Sequence, residues 1–183
     1  VRYVVEGLSV KGIKPSAEVW KALHLTLFEI QPQGTREKQE GSQPRKTLEQ
    51  VLASTEQLYA GLLNMTQDGG MFSMEIAVAQ GTEEAVFYIA VPHDKRTLFE
   101  RQVFSVFPNA RVSECRGDYN LFTYGGEHVG AVAHLADHHA FPLKTYQTFE
   151  HDPMNVLLSS FSKLAKHGEG AAIQIVVGNE GER

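Results

Sequence analysis

The stretch MFSMEIAVAQGTEEAVFYIAVP, residues 71–92, decides the fold. Within it Phe72, Met74, Ile76 and Val78 alternate with Ser73, Glu75, Ala77 and Ala79, the two-residue period of a sheet with one better-buried face. After the polar turn Gln80 to Glu84, Ala85, Phe87, Ile89 and Val91 alternate again, and Pro92 closes the run. Two such runs joined by a short turn predict an antiparallel hairpin.

Outward on the N-terminal side, Asp68, Gly69 and Gly70 free the chain to turn after a predicted helix. In that helix Leu48, Val51, Leu52, Thr55, Leu58, Tyr59, Leu62 and Leu63 recur with helical spacing, and Thr47 with Gln50 matches a capping box. Further upstream, Leu23 to Ile30 is rich in aliphatic and β-branched residues and reads as a strand that Pro32 and Gly34 stop. Gln31 to Lys46 carries no large apolar residue and is expected to be a mobile excursion or contact loop.

Outward on the other side, Asp94 is placed to cap a helix whose apolar stripe is Leu98, Phe99, Val103, Val106 and Phe107, ended by Pro108. A strand is expected around Ala110 to Cys115. Residues 23–115 therefore read strand, helix, strand, strand, helix, strand. This is the order of a ferredoxin-like βαββαβ unit in an α+β fold, with mostly antiparallel sheet and helices on one face.

Residues 116–178 are expected to form a second β-α-β subdomain packed on the first. His128 to His138 alternates, with Val129, Ala131, Ala133 and Leu135 on one side and His128, Val132, His134 and His138 on the other. Asp152 and Pro153 start a helix with Met154, Leu157, Leu158, Phe161, Leu164 and Ala165 as its buried stripe. Gly168 suits a left-handed cap, and Ala171 to Val177 reads as a strongly buried closing strand. Residues 1–22 form an N-terminal segment and 179–183 a polar linker, so the whole is expected to be an excised domain.

Composition narrows the function classes. The 183 residues are 42% hydrophobic, enough for one core or two small ones. A formal net charge of -5 argues against holding nucleic acid by phosphate neutralisation alone. No apolar run approaches the roughly 18–20 residues that span a bilayer, so no direct membrane insertion is expected. The single Cys115 has no disulfide partner within the chain, fits a reducing compartment, and is expected to pack as a small hydrophobe.

The chemistry-bearing residues form no familiar machinery. A phosphate-binding Gly-x4-Gly-Lys-Ser/Thr loop is missing, and Gly168-Glu169-Gly170 lies between a helix and a strand, the wrong order for a dinucleotide fingerprint. No serine lies in Gly-x-Ser-x-Gly; Ser159, Ser160 and Ser162 read as a polar helix face, and Glu83 with Glu84 as a solvated turn. His128, His134, His138 and His139 with Asp137 suggest zinc, but residues four apart on a strand stand roughly 13 Å apart. A metal is expected only if His138 and His139 curl as a loop toward His151, the basis of an alternative reading as a small metal- or ligand-binding enzyme using His128 to His151. A third reading is a single-strand nucleic-acid binder, with Arg96, Arg101, Arg111 and Arg116 on the backbone and Phe87 and Tyr88 stacking bases. Against it, Phe87 belongs to the apolar stripe, and the RNA-recognition signature is missing. No catalytic residue and no cofactor is assigned.

Several short segments, in order, carry a resemblance: Phe107-Pro108-Asn109-Ala110, Asp118-Tyr119-Asn120, Phe141-Pro142-Leu143-Lys144-Thr145-Tyr146, Asp152-Pro153-Met154-Asn155, Ser162-Lys163-Leu164 and Glu169-Gly170-Ala171-Ala172-Ile173-Gln174. Over residues 71–177 the chain resembles the region preceding the motor domain in bacterial type IV secretion and conjugation ATPases of the HerA/TraG-like group. The resemblance implies a non-catalytic accessory domain that contacts neighbouring ATPase or secretion-channel subunits. It implies a cytoplasmic place at the inner face of the membrane, through the parent protein. Nucleic acid would be met only through that parent. ATP hydrolysis does not carry over, because this sequence carries no Walker motif; if the parent has one, it lies outside these residues. Lys144 and Lys163, the basic residues within the segments, are the expected surface contacts.

Overall fold

The computed structural model describes residues 24–31, 48–67, 70–82, 84–116, 126–133, 141–142, 145, 153–164 and 168–178. The hairpin forms as its alternation requires: β2 (Met71–Val78) pairs antiparallel with β3 (Val86–Pro92), Met74 opposite Ile89 and Ile76 opposite Phe87. In the turn between them Gly81 takes a left-handed φ of 82°, which only glycine adopts cheaply, and Thr82 closes back on the Ala79 carbonyl through its backbone N–H and its hydroxyl.

Strand β1 (Leu25–Gln31) lies on the far side of β3, antiparallel to it, with Phe28 opposite Ile89. Strand β4 (Arg111–Glu114) then pairs antiparallel with β1, and β5 (Ala171–Gly178) completes the sheet in the order β4-β1-β3-β2-β5. The end of β5 at Gly178 lies beside the start of β2 at Met71, and Gln174 bonds to Glu75, so β5 also runs antiparallel to its neighbour. The first four strands have the split βαβ arrangement of a ferredoxin-like α+β fold, extended by one strand beyond β2.

Helix α1 (Leu48–Asn64) connects β1 to β2, and α2 (Arg96–Val106) connects β3 to β4; the two helices pack on each other. They cover the face of the sheet that carries Phe28, Ile89, Val91 and Phe72, and the core is built there with Leu58, Leu62, Met65, Phe99 and Val103. Phe28 and Phe99 are both 0% exposed and their rings meet at 4.8 Å. Burying a side chain of that size is worth roughly 1.5–3 kcal/mol.

The helical stripes are narrower than their periodicity. In α1, Tyr59 and Leu63 are exposed, while Met65 and Thr66, just past the helix, are buried. The last turn is closed by Thr66, whose N–H and hydroxyl both donate to the Leu63 carbonyl, ahead of the expected glycine stop. Thr47 and residues 68–69, together with the loop 32–46, lie outside the described residues. At α2, Asp94 does not cap the helix. It sits in a 3-10 turn, His93–Lys95, with its carboxylate 4.0 Å from Lys95 Nζ, and the N-cap position is Lys95, whose side chain does not cap the helix. Leu98 falls on the solvent side of α2.

The chain divides into two compact units, Val1–Ala77 with Val86–Asp118 and Ile173–Arg183, and Val78–Ala85 with Tyr119–Ala172. Four expectations for the C-terminal part are corrected. Residues 126–133 have no regular structure and are exposed, Val129 at 99%. Alternation there meets no pairing strand among the described residues, and no strand forms over 126–133; 134–138 lie outside the described residues. Helix α3 (Pro153–Phe161) forms where Pro153 fits the first turn, but Met154, Leu157 and Leu158 are exposed, and only Phe161 and Leu164 are half-buried. The last turn of α3 ends in short backbone bonds through Leu164, so Gly168, left-handed at φ 98°, serves the entry to β5 and not the helix end. β5 is a half-exposed edge, not a strongly buried strand.

Candidate functional site

On the sheet face opposite the helices, strand pairing aligns a row of polar side chains. Ser113 lies opposite Glu29, Glu29 opposite Tyr88, and Tyr88 opposite Glu75; Gln174 on β5 then donates from Nε2 to Glu75 Oε1 at 2.8 Å. Directly opposed residues share a face, so the row crosses all five strands. Its middle is buried: Glu75 is 6% exposed, and Tyr88, Ser73, Ala77 and Ala90 are buried with it. Ser73 donates its hydroxyl to the same Glu75 oxygen at 2.5 Å. At the rim Gln31 donates to Glu29 at 2.7 Å. A carboxylate held by two side-chain donors is a strong acceptor, and here it ties β5 to β2. The alternation of residues 71–78 placed Ser73, Glu75 and Ala77 on the less-buried side; they are as buried as the apolar set, because both faces of the central strands are covered.

A second cluster holds the end of the sheet. His93 Nδ1 lies 2.8 Å from Thr26 Oγ1, Arg96 Nη1 meets His93 Nε2, and the His93 N–H donates to the His24 carbonyl at 2.9 Å. A guanidinium only donates, so Nε2 must accept and the ring proton is on Nδ1, donating to Thr26. This neutral tautomer pins the β3-to-α2 junction to the start of β1.

The remaining sequence expectations fall as follows. His134, His138, His139, His151 and Asp137 lie outside the described residues, as does Lys144. His128 is exposed, and no group of three or more His, Cys, Asp or Glu converges among the described residues. Lys163 is exposed in the turn after α3. Cys115 is half-buried just past β4, its N–H donating to the Leu27 carbonyl. Ser160 and Ser162 spend their hydroxyls on the Val156 and Ser159 carbonyls. Arg96, Arg101, Arg111 and Arg116 are all exposed. Phe87 and Tyr88, being consecutive in a strand, point to opposite faces and form no shared stacking platform.

The surface feature that periodicity did not announce is apolar. Helix α3, sequence PMNVLLSSF, carries no charged residue and exposes Met154, Val156 at 65%, Leu157 and Leu158. Among the described residues no helix is long and apolar enough to cross a membrane, so this is not a spanning segment.

No curated protein and no solved structure matches the chain. A family model does, the domain of unknown function DUF8128, over residues 26–178. Its limits run from the second residue of β1 to the last residue of β5, so the family unit takes in the whole five-stranded sheet and α3 with it. The chain belongs to the DUF8128 family.

Proposed function

We infer that this chain is a non-catalytic interaction domain of a type IV secretion or conjugative-transfer ATPase, acting in assembly or subunit contact at the translocation channel. The observation that carries the reading is α3: a nine-residue uncharged helix with four large apolar side chains exposed. Such a surface is costly in water and gains by being covered, which is how protein contacts are built. The partner class comes from the resemblance in short segments. Asp152-Pro153-Met154-Asn155 runs into α3, and Ser162-Lys163-Leu164 follows it, so two of those segments frame the apolar helix. On this reading the domain sits on the cytoplasmic face of the membrane through its parent. Hydrolysis and handling of the transported molecule belong to other domains of that parent.

The test is calorimetric titration of the purified chain with the motor domain of a type IV secretion ATPase of the HerA/TraG-like group. Saturable binding is expected, weakened about tenfold or more by Val156→Asp or Leu157→Asp, with unchanged circular dichroism. Nucleotide hydrolysis by the chain alone would contradict the reading, as would binding that both variants leave intact.

A further inference from the structure

The two edges of the sheet are built differently. β4 at one edge is four residues long and carries Arg111 and Glu114, both exposed. Short length and charge are the devices that keep an edge from pairing with another chain. β5 at the other edge has neither. Its eight residues, AAIQIVVG, contain no charge and no proline, and four of them are Ile or Val.

One side of β5 is hydrogen-bonded to β2, and among the described residues no strand lies on its other side in the sheet order. Backbone groups along an open edge are met by water, and an added strand would satisfy the whole row of alternating N–H and C=O groups at once. The side chains agree with the backbone. Ile175 is 55% and Val176 49% exposed, and as neighbours in a strand they lie on opposite faces. Leu63 is exposed at the same rim, where it lines a shallow depression of about 260 Å³ with Asn64, Thr66, Gln67 and Gly178. A strand laid along β5 would cover Ile175 and Val176 and bring side chains toward that depression.

We propose that β5 is an open pairing edge whose occupant is the β5 strand of a second copy of this chain, joined antiparallel so that the sheet continues across two molecules. An uncharged strand is self-complementary under a two-fold axis: no like charges meet, and aliphatic side chains face aliphatic side chains across the junction. A charged partner strand would find no counter-charge on β5. The inference does not depend on the secretion-ATPase reading, since a dimer that binds no motor keeps this proposal and removes that one.

The experiment is sedimentation of the whole chain over a range of concentrations, with amide exchange read along Ala171–Gly178. A monomer–dimer equilibrium is expected, with β5 amides more protected as the dimer fills. The double variant Ile175→Lys/Val176→Lys places lysines on an already exposed edge; it is expected to keep the fold by circular dichroism and to weaken dimerisation at least about tenfold. A chain that stays monomeric at all concentrations overturns the proposal. So does a dimer that survives the double variant, or β5 protection that comes only on adding the motor domain.

Discussion

Phe28 and Leu157 both lie in apolar segments, yet the first is 0% exposed and the second 37%. The unit holding β1 to β4 converts its periodicity into a core, with Phe99, Leu62 and Val103 closing over Phe28. In the other unit α3 forms on the strength of its own spacing and Pro153, half-buries Phe161, and leaves Met154, Val156, Leu157 and Leu158 exposed. The difference teaches that periodicity specifies an element, whereas burial requires a second surface to meet it. Where the described residues supply no such surface, as at α3, the side chains stay exposed.

The comparison breaks most sharply at the core. Phe28→Ala or Phe99→Ala is expected to cost about 3–5 kcal/mol in urea unfolding, since each removes a fully buried ring from a packed pair. A cost under about 1 kcal/mol would mean that the two units do not differ as described. Next comes the polar row. Glu75→Ala leaves Ser73 and Gln174 without their shared acceptor and should cost about 1–3 kcal/mol, with faster amide exchange concentrated in β5. Uniform acceleration across the sheet would show that Glu75 does not specifically hold that strand.

Val156→Asp, by contrast, should shift the stability of the isolated chain by no more than about 0.5 kcal/mol, because nothing is lost from a core. The smallest effect is expected at Tyr59, 42% exposed as a residue, where partial desolvation pushes the phenol above its ordinary value. Below a pH of about 10 both folded and unfolded chains hold the proton; above it the unfolded chain ionises first, so stability falls with rising pH until the folded phenol ionises too. Tyr59→Phe should remove that alkaline slope, as read by unfolding at successive pH values.

Much of the fold was legible because its signals are local. The alternation in residues 71–92, the closing Pro92 and the spacing of Leu58 and Leu62 each act within a few residues, and the hairpin and α1 follow. The order βαββαβ then selects the sheet order with little freedom left. What failed was local signal without a neighbour. Val129, Ala131 and Ala133 alternate like a strand but form no strand among the described residues, and Asp94 stands where a cap would while the chain makes a 3-10 turn. The polar row was invisible for a different reason. Glu75 meets Gln174 across 99 residues, a juxtaposition set by sheet register and not by spacing. The apolar surface of α3 was visible as a stripe, and read as buried, because sequence records hydrophobicity without recording what covers it.

The central proposal is that α3, exposed among the described residues, is a contact surface for the motor domain. Amide exchange over Pro153–Phe161 tests it most directly, measured on the chain alone and with the secretion motor domain added. The account predicts fast exchange in the free chain and marked slowing on addition of the motor. Amides in α3 that are already as protected as those of α1, and unchanged by the motor, would contradict it.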